Sequence, residues 1–294
     1  MNTHLQIVSK GKCVASLCAM LVVLGILLMP SNGMAQNITM QDGGSSAIIN
    51  PGNGSGNLGM NSWSVVGQNQ LVQQWFWYSV GGGVAQPLNT LGTLSVSDNA
   101  SGTEGLNDVT VTYDNGQLSA NIEYVLNGNG VGSGSADLME YIWIDNNSAS
   151  SVTLRFYQYS NFNLLQNNNN NVSVSSDGSG GYNGALQTTG GPGGSGIAEV
   201  INAPSANRAE AAYVGQTLAE LNGTPNLQLN DNQNAGPGDV TWAFQWNATL
   251  QPGDELDISK DKGLSIQMVP EPSTLTFIAL GLGAWGLARR RQSS

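Results

Sequence analysis

Seven acidic side chains, Glu123, Glu140, Asp145, Asp254, Glu255, Asp257 and Asp261, are the groups in this chain whose type suits acid–base chemistry. Two carboxyls set across a sugar suffice to hydrolyse a glycosidic bond, one protonating the leaving oxygen while the other serves as base or nucleophile. Glu123 and Glu140 fall in strand-like runs, where partial burial would raise a carboxyl pKa toward that of a general acid. The commoner use of such residues is solvated charge on the surface of an acidic β-protein. The chain is therefore expected to be no enzyme and to have no catalytic residue, with a carboxylate-dependent glycan hydrolase as the least favoured alternative.

Other catalytic groups are excluded by where they fall. The single histidine, His4, and both cysteines, Cys13 and Cys18, lie in the first eighteen residues. Lys10 and Lys12 precede an apolar stretch over 13–29, and Pro30, Ser31, Asn32 and Gly33 close it. Gly33 and Ala35 have the small side chains that signal peptidase needs, so residues 1–35 are expected to be a signal peptide cleaved between Ala35 and Gln36. Leu17 is too bulky, and too much apolar chain follows Cys18, for lipidation there. The body from 36 to 268 then holds no His or Cys. It cannot build a Ser-His-Asp triad, a Cys-His pair or a His-based metal site, and no disulfide framework is possible.

The far end has three parts. Val269, Pro270, Glu271, Pro272 and Ser273 form a clip that the prolines keep out of helix. An apolar run follows, carrying Leu275, Phe277, Ile278, Leu280, Leu282, Trp285 and Leu287, and Arg289, Arg290 and Arg291 close it. The apolar run is suited to a bilayer, and the arginines to its cytoplasmic side. The span from 273 to 288 is shorter than the roughly 20 residues of a comfortable membrane helix.

This tail resembles the PEP-CTERM sorting signal: P-E-P followed by Ser-Thr, a Gly-rich apolar segment and a closing Arg cluster. The resemblance implies recognition near the P-E-P by an exosortase, a membrane-embedded cysteine transpeptidase. It also implies an exported protein of the cell envelope or exopolysaccharide matrix of a bacterium, with a transient inner-membrane anchor. Residues 269–294 are assigned to that signal. The segments W-S-V-V-G-Q-N-Q-L-V-Q-Q-W-F-W-Y (63–78), G-P-G-D-V-T-W-A-F-Q-W (236–246) and S-K-D-K (259–262) resemble a recurrent PEP-CTERM protein body, a resemblance that supplies no activity.

Of nine basic residues, two lie in the signal peptide and three in the tail, which leaves Arg155, Arg208, Lys260 and Lys262. Of twenty acidic residues only Glu271 is lost, so four cations face nineteen anions and the body carries −15. Nucleic acid, bound by neutralising its phosphates, is excluded as a partner. The expected partners are signal peptidase, exosortase and exopolysaccharide.

A body rich in Gly, Asn, Ser and Thr favours strands joined by turns. Apolar residues alternate at Val109, Val111 and Tyr113, at Leu118, Ala120, Ile122, Tyr124 and Leu126, at Val152, Leu154 and Phe156, and at Trp242, Phe244 and Trp246. Asp114-Asn115-Gly116 joins two such runs as a hairpin. Further strands are expected near 46–50, 62–66, 71–80, 91–97, 138–145, 172–176 and 256–268. The fold expected is all-β: one antiparallel β-sandwich of roughly a dozen strands. One short helix is expected over 208–221, and a flexible Gly-rich stretch over 177–196.

Trp75, Phe76, Trp77 and Tyr78 are consecutive, so a strand would put Trp75 and Trp77 on one face and Phe76 and Tyr78 on the other. If one face is exposed, Trp75, Trp77 and Tyr78 are the candidate glycan contacts, which makes a carbohydrate-binding module of the matrix the alternative function. If both are covered, the rings fill the core. No cofactor is expected. Calcium remains an option, because the run over 231–239 is rich in Asp and Asn, but Gln233 and Ala235 break the EF-hand pattern. Seven Asn-X-Ser/Thr sequons, among them Asn146, suit an exported chain without establishing glycosylation.

Overall fold

A computed structural model describes residues 37–52, 56–99, 106–190 and 194–266. Two antiparallel sheets of nine strands each pack face to face. Strands are numbered along the chain. Sheet one runs β1 (Ile38–Asp42), β2 (Ser45–Asn50), β3 (Gly59–Val65), β5 (Leu71–Val80), β11 (Val152–Phe162), β17 (Val240–Leu250), β15 (Arg208–Tyr213). The two-residue strands β4 (Gln68–Asn69) and β6 (Gln86–Pro87) pair with β3 and β5. Sheet two runs β16 (Asn234–Gly238), β12 (Asn170–Ser176), β13 (Tyr182–Thr189), β14 (Gly196–Ala203), β18 (Glu255–Ser265), β10 (Ser135–Asn146), β9 (Leu118–Asn127), β8 (Asp108–Asp114), β7 (Thr93–Asp98).

The all-β sandwich expected from alternation is the fold observed, with eighteen strands among the described residues rather than a dozen. The Asp114-Asn115-Gly116 hairpin joins β8 to β9, and Gly116 takes the positive φ the turn requires (+80°). Aromatic rings fill the space between the sheets: Phe76 stacks on Phe156 and Phe162 on Trp242, each with centroids 5.4 Å apart. Two expectations fail. Residues 208–213, read as the start of a helix, form β15 and pair with β17, and the one α-helix among the described residues, α1, spans Gln216–Gly223. Ala209, Glu210, Ala211 and Ala212 are all buried, so β15 is covered on both sides and shows no alternation. The Gly-rich stretch over 177–196 contains β13. There Gln187 points inward while Leu186 is 48% exposed, which inverts the apolar pattern that would have revealed a strand.

The sheets differ in what covers their outer faces. Outside sheet one lie α1 and the segment 227–229: the Trp77 indole donates to Asn222 Oδ1 (3.3 Å), and Tyr157 Oη donates to the Leu227 carbonyl (2.9 Å). Strands β10 and β18 of sheet two instead alternate between buried and accessible positions along nearly their whole length, as sheets solvated on one side do. Inward positions of β18 carry Ile258, Lys260, Lys262 and Leu264, so two lysines sit where apolar residues belong.

Candidate functional site

Charge is gathered between the sheets. Glu140 of β10, Glu199 of β14, and Lys260 and Lys262 of β18 have fully buried side chains. The register explains the grouping: Glu140 lies directly across from Lys260, and Glu199 across from Lys262. Lys260 Nζ is in direct contact with Glu140 Oε2 and lies 3.4 Å from Glu199 Oε1. Lys262 Nζ lies 2.6 Å from Glu140 Oε2 and 3.5 Å from Glu199 Oε1. Sheet one closes the site from the other side. Gln158 Nε2 donates to both oxygens of Glu199 (2.7 and 2.9 Å), and Trp242 Nε1 donates to Oε2 (2.7 Å). The Lys260 ammonium stands 5.1 Å over the ring of Phe76. Glu140 Oε1 is buried and has no hydrogen-bond partner.

Two carboxylates and two ammonium groups balance, which is the condition for burying them at all. Burial, reinforced by Lys262 beside it, holds Lys260 well below the ordinary lysine range. Burial also lowers Lys262, against the opposing pull of Glu199. The site is sealed, so a substrate does not reach it.

The second candidate site is the outer face of sheet two. Tyr141 and Trp143, both half-buried, stand side by side on β10 with rings 6.1 Å apart and 17° from parallel. Glu123 and Ser259 flank Tyr141 in the register, and Asn121 and Asp257 flank Trp143. Burial, then repulsion from Asp108, raises the Glu123 pKa. Burial followed by Asp145 and Asp257 raises that of Glu255, and burial followed by Asp137 raises that of Asp261. The four cations of the body lie elsewhere, two between the sheets and Arg155 and Arg208 on sheet one.

A raised carboxyl pKa means the folded state holds its proton more tightly than the unfolded state. The resulting stability is present at low pH and lost as pH rises through the folded value. Glu123→Gln should therefore raise the melting temperature at about pH 7, where Glu123 is ionised, and give no gain at about pH 3.5. Melting curves at the two pH values check this; an equal effect at both would mean that neither burial nor Asp108 raises the Glu123 pKa on folding.

The remaining residues singled out in the sequence are placed as follows. Trp75 and Trp77 are buried (1% and 3% exposed), and Phe76 between them is buried as well. Both sides of β5 are thus covered, because neighbouring residues point opposite ways. Trp75 packs edge-on against Tyr113, and Trp77 against Tyr159. Tyr78 is half-buried against the core. Trp75 and Trp77 are core residues, a correction to their reading as glycan contacts. Among the seven carboxylates, Glu140 alone lies between the sheets. Asp145 accepts from Ser119 Oγ (3.0 Å), and Asp254 caps the β17–β18 turn by accepting from Gln251 N (2.8 Å). In the run considered for calcium, Asp231 is paired with Arg208 (2.7 Å) and the Asn232 amide donates to the Ala211 carbonyl (2.6 Å). Among the described residues no group of three His, Cys, Asp or Glu side chains is placed to hold a metal. The sequon residue Asn146 is buried, its amide donating to the carbonyls of Ser150 and Leu250 (2.8 and 2.9 Å).

The cleavage residues Ala35 and Gln36, the clip from Val269 to Ser273, the apolar segment and Arg289, Arg290 and Arg291 lie outside the described residues. Within the described residues no helix is long and apolar enough to cross a membrane. The tail is identified by comparison with known families: the PEP-CTERM protein-sorting motif matches residues 269–292. The chain carries a PEP-CTERM sorting signal. That signal implies export to the cell envelope or surface and processing by an exosortase.

No curated protein is found similar to the chain. Among solved structures, a bacterial glucoamylase complexed with acarbose shares the fold at a TM-score of 0.54 and 10% identity, over 81% of this chain. This chain spans only 32% of the glucoamylase. A protein described as an aldose 1-epimerase from Escherichia coli K12 matches at a TM-score of 0.50 and 8% identity, over 79% of this chain and 99% of its own. At these identities the likeness is one of fold.

Sequence reasoning reached Glu140 but missed Glu199, Lys260, Lys262 and Gln158 as its companions, and Tyr141 and Trp143 as a pair. A signal was present for both groups. Lys260 and Lys262 interrupt an alternation that runs from Ile258 to Leu264, and the tract Tyr141-Ile142-Trp143-Ile144 alternates aromatic with aliphatic residues.

Proposed function

We propose that the body is a non-enzymatic component of the cell surface or exopolysaccharide matrix. Signal peptidase frees its N-terminus after Ala35, and an exosortase processes it near Pro270–Pro272. The sorting motif is the observation that carries this reading. The burial of two of the acids is in keeping with it, since Glu140 and Glu199 are sealed from any substrate and paired with lysines. The test is the mass of the C-terminal peptide of protein purified from the host's envelope and culture fluid. A peptide ending near Pro270–Ser273, with or without an added group, supports the reading. An intact tail through Arg291 in membrane-bound protein overturns processing and leaves an anchored surface domain.

A second reading, glycan binding, is favoured by the Tyr141–Trp143 pair. Aromatic rings flanked by amide, hydroxyl and carboxylate groups offer a sugar both a hydrophobic face to stack on and hydrogen-bond partners at its edge. On this reading the protein migrates slowly through a gel cast with the host's polysaccharide, and Trp143→Ala restores free migration without changing the melting temperature by more than a few degrees. Equal mobility with and without polysaccharide removes the reading. Sugar release that an acid-to-amide change abolishes would replace both proposals with a hydrolase.

A further inference from the structure

We propose that Glu140 and Lys260 condense to an intramolecular amide that cross-links β10 to β18, with Glu199 shuttling the proton. The two side chains are direct cross-strand partners, fully buried and in contact. A permanently placed amine and carboxyl have the advantage of an intramolecular reaction, whose effective molarity reaches about 10⁵ M or more when the geometry is right.

The surroundings suit the chemistry. Acylation needs a neutral amine and a protonated carboxyl, and a dry interior favours that uncharged pair over separated ions. The low proton affinity that burial imposes on Lys260 points the same way. Glu199 Oε1 lies 3.4 Å from Lys260 Nζ, and the Gln158 and Trp242 donors hold its carboxylate in place. Glu140 Oε1 accepts no hydrogen bond and can depart as the hydroxyl, while Oε2 stays held by Lys262 (2.6 Å).

The balance is simple. Lys260 first passes a proton to Glu140, giving a free amine and a carboxylic acid. The nitrogen lone pair attacks Cδ of Glu140, and the C–N bond forms. Glu199 takes a proton from the nitrogen and returns it to the departing hydroxyl as the C–O bond breaks. One water leaves and nothing is oxidised or reduced. Four buried charges become two, Glu199 with Lys262, which are themselves cross-strand partners and remain balanced. Removing an ion pair from a low-dielectric interior is favourable, and the exclusion of water opposes hydrolysis. Lys262 also approaches Glu140 Oε2 (2.6 Å), but it is the register partner of Glu199 and is left as its counterion. The bond would give a body without cysteine the covalent staple that disulfides supply in other exported proteins.

Intact-mass measurement of the full chain, followed by fragmentation of its digest, tests the bond. The expected result is a mass about 18 Da below that calculated for the observed termini, by the loss of one water on condensation. A branched peptide should join the segment containing Glu140 to the segment containing Lys260. Lys260→Arg and Glu199→Gln should each restore the full mass. Glu140→Gln should still cross-link but lose ammonia, about 17 Da, since only the leaving group changes. A wild-type chain at full mass overturns the proposal, as does a water loss mapped to an Asp elsewhere. A branch at Lys262 overturns the assignment to Lys260. The wild-type measurement decides the matter even if a variant fails to fold.

Discussion

Replacing Glu199 with leucine destabilises the body by about 3–5 kcal/mol, the cost of breaking a buried ionic group by removing one partner. Glu199 is approached by Lys260 and Lys262 and accepts three hydrogen bonds from Gln158 and Trp242. The substitution leaves two buried ammonium groups facing one carboxylate, strands the Trp242 indole without an acceptor and leaves the Gln158 amide only Ser160 Oγ (3.0 Å). For a domain of this size such a loss lowers the melting temperature on the order of 10 °C. The double variant Glu199→Leu with Lys262→Met restores the charge balance around Glu140 and Lys260, and should recover at least about 1 kcal/mol, as expected for directly coupled residues. Denaturant unfolding of both single variants, Glu199→Leu and Lys262→Met, and of the double variant measures both quantities. Simple additivity of the two changes would mean that the four groups do not act as a unit.

Trp246→Ala is the second large effect, about 3–5 kcal/mol for truncating a buried tryptophan. The ring is 1% exposed and sits 6.1 Å from both Phe156 and Phe244, so it joins neighbouring strands of sheet one through their inward side chains. Its indole donates to the carbonyl of Pro204 (3.0 Å), tying the segment after β14 to the core. Trp246→Phe keeps most of the packing and should cost about 1–2 kcal/mol, the share of the lost hydrogen bond and the smaller ring. The order Ala worse than Phe, measured by thermal or denaturant unfolding, is the result to look for; equal costs would place the stabilisation in the hydrogen bond alone.

Several features were legible from residues alone because they depend on short stretches of chain. The sorting tail is contiguous, and its clip, apolar run and arginines are each a local property. The absence of His and Cys from the body follows from counting, as does its charge of −15. Strands such as β8 and β9 declare themselves by period-2 alternation, and their turn by Asn-Gly, since half-buried strands must alternate and tight hairpins need a positive φ. An antiparallel sandwich follows from many such segments.

What the sequence left open depends on which segments meet. Residues 208–213 have helix-forming composition, yet pairing with β17 on one edge and cover by α1 make them a strand. Both sides of β5 are covered by distant parts of the chain, Trp75 packing against Tyr113 of β8 and Trp77 bonding to Asn222 of α1, so these rings are core rather than a sugar-binding face. The interior charges come from strands separated by 61 to 122 residues, and only the register of β14, β18 and β10 sets carboxylates opposite amines. A lysine in an alternating strand reads as a surface residue until its carboxylate partners are known. Local sequence thus determined where the protein is sent and what class of fold it has. Tertiary pairing decided which polar groups are buried together, because burial is a property of contacts between distant strands.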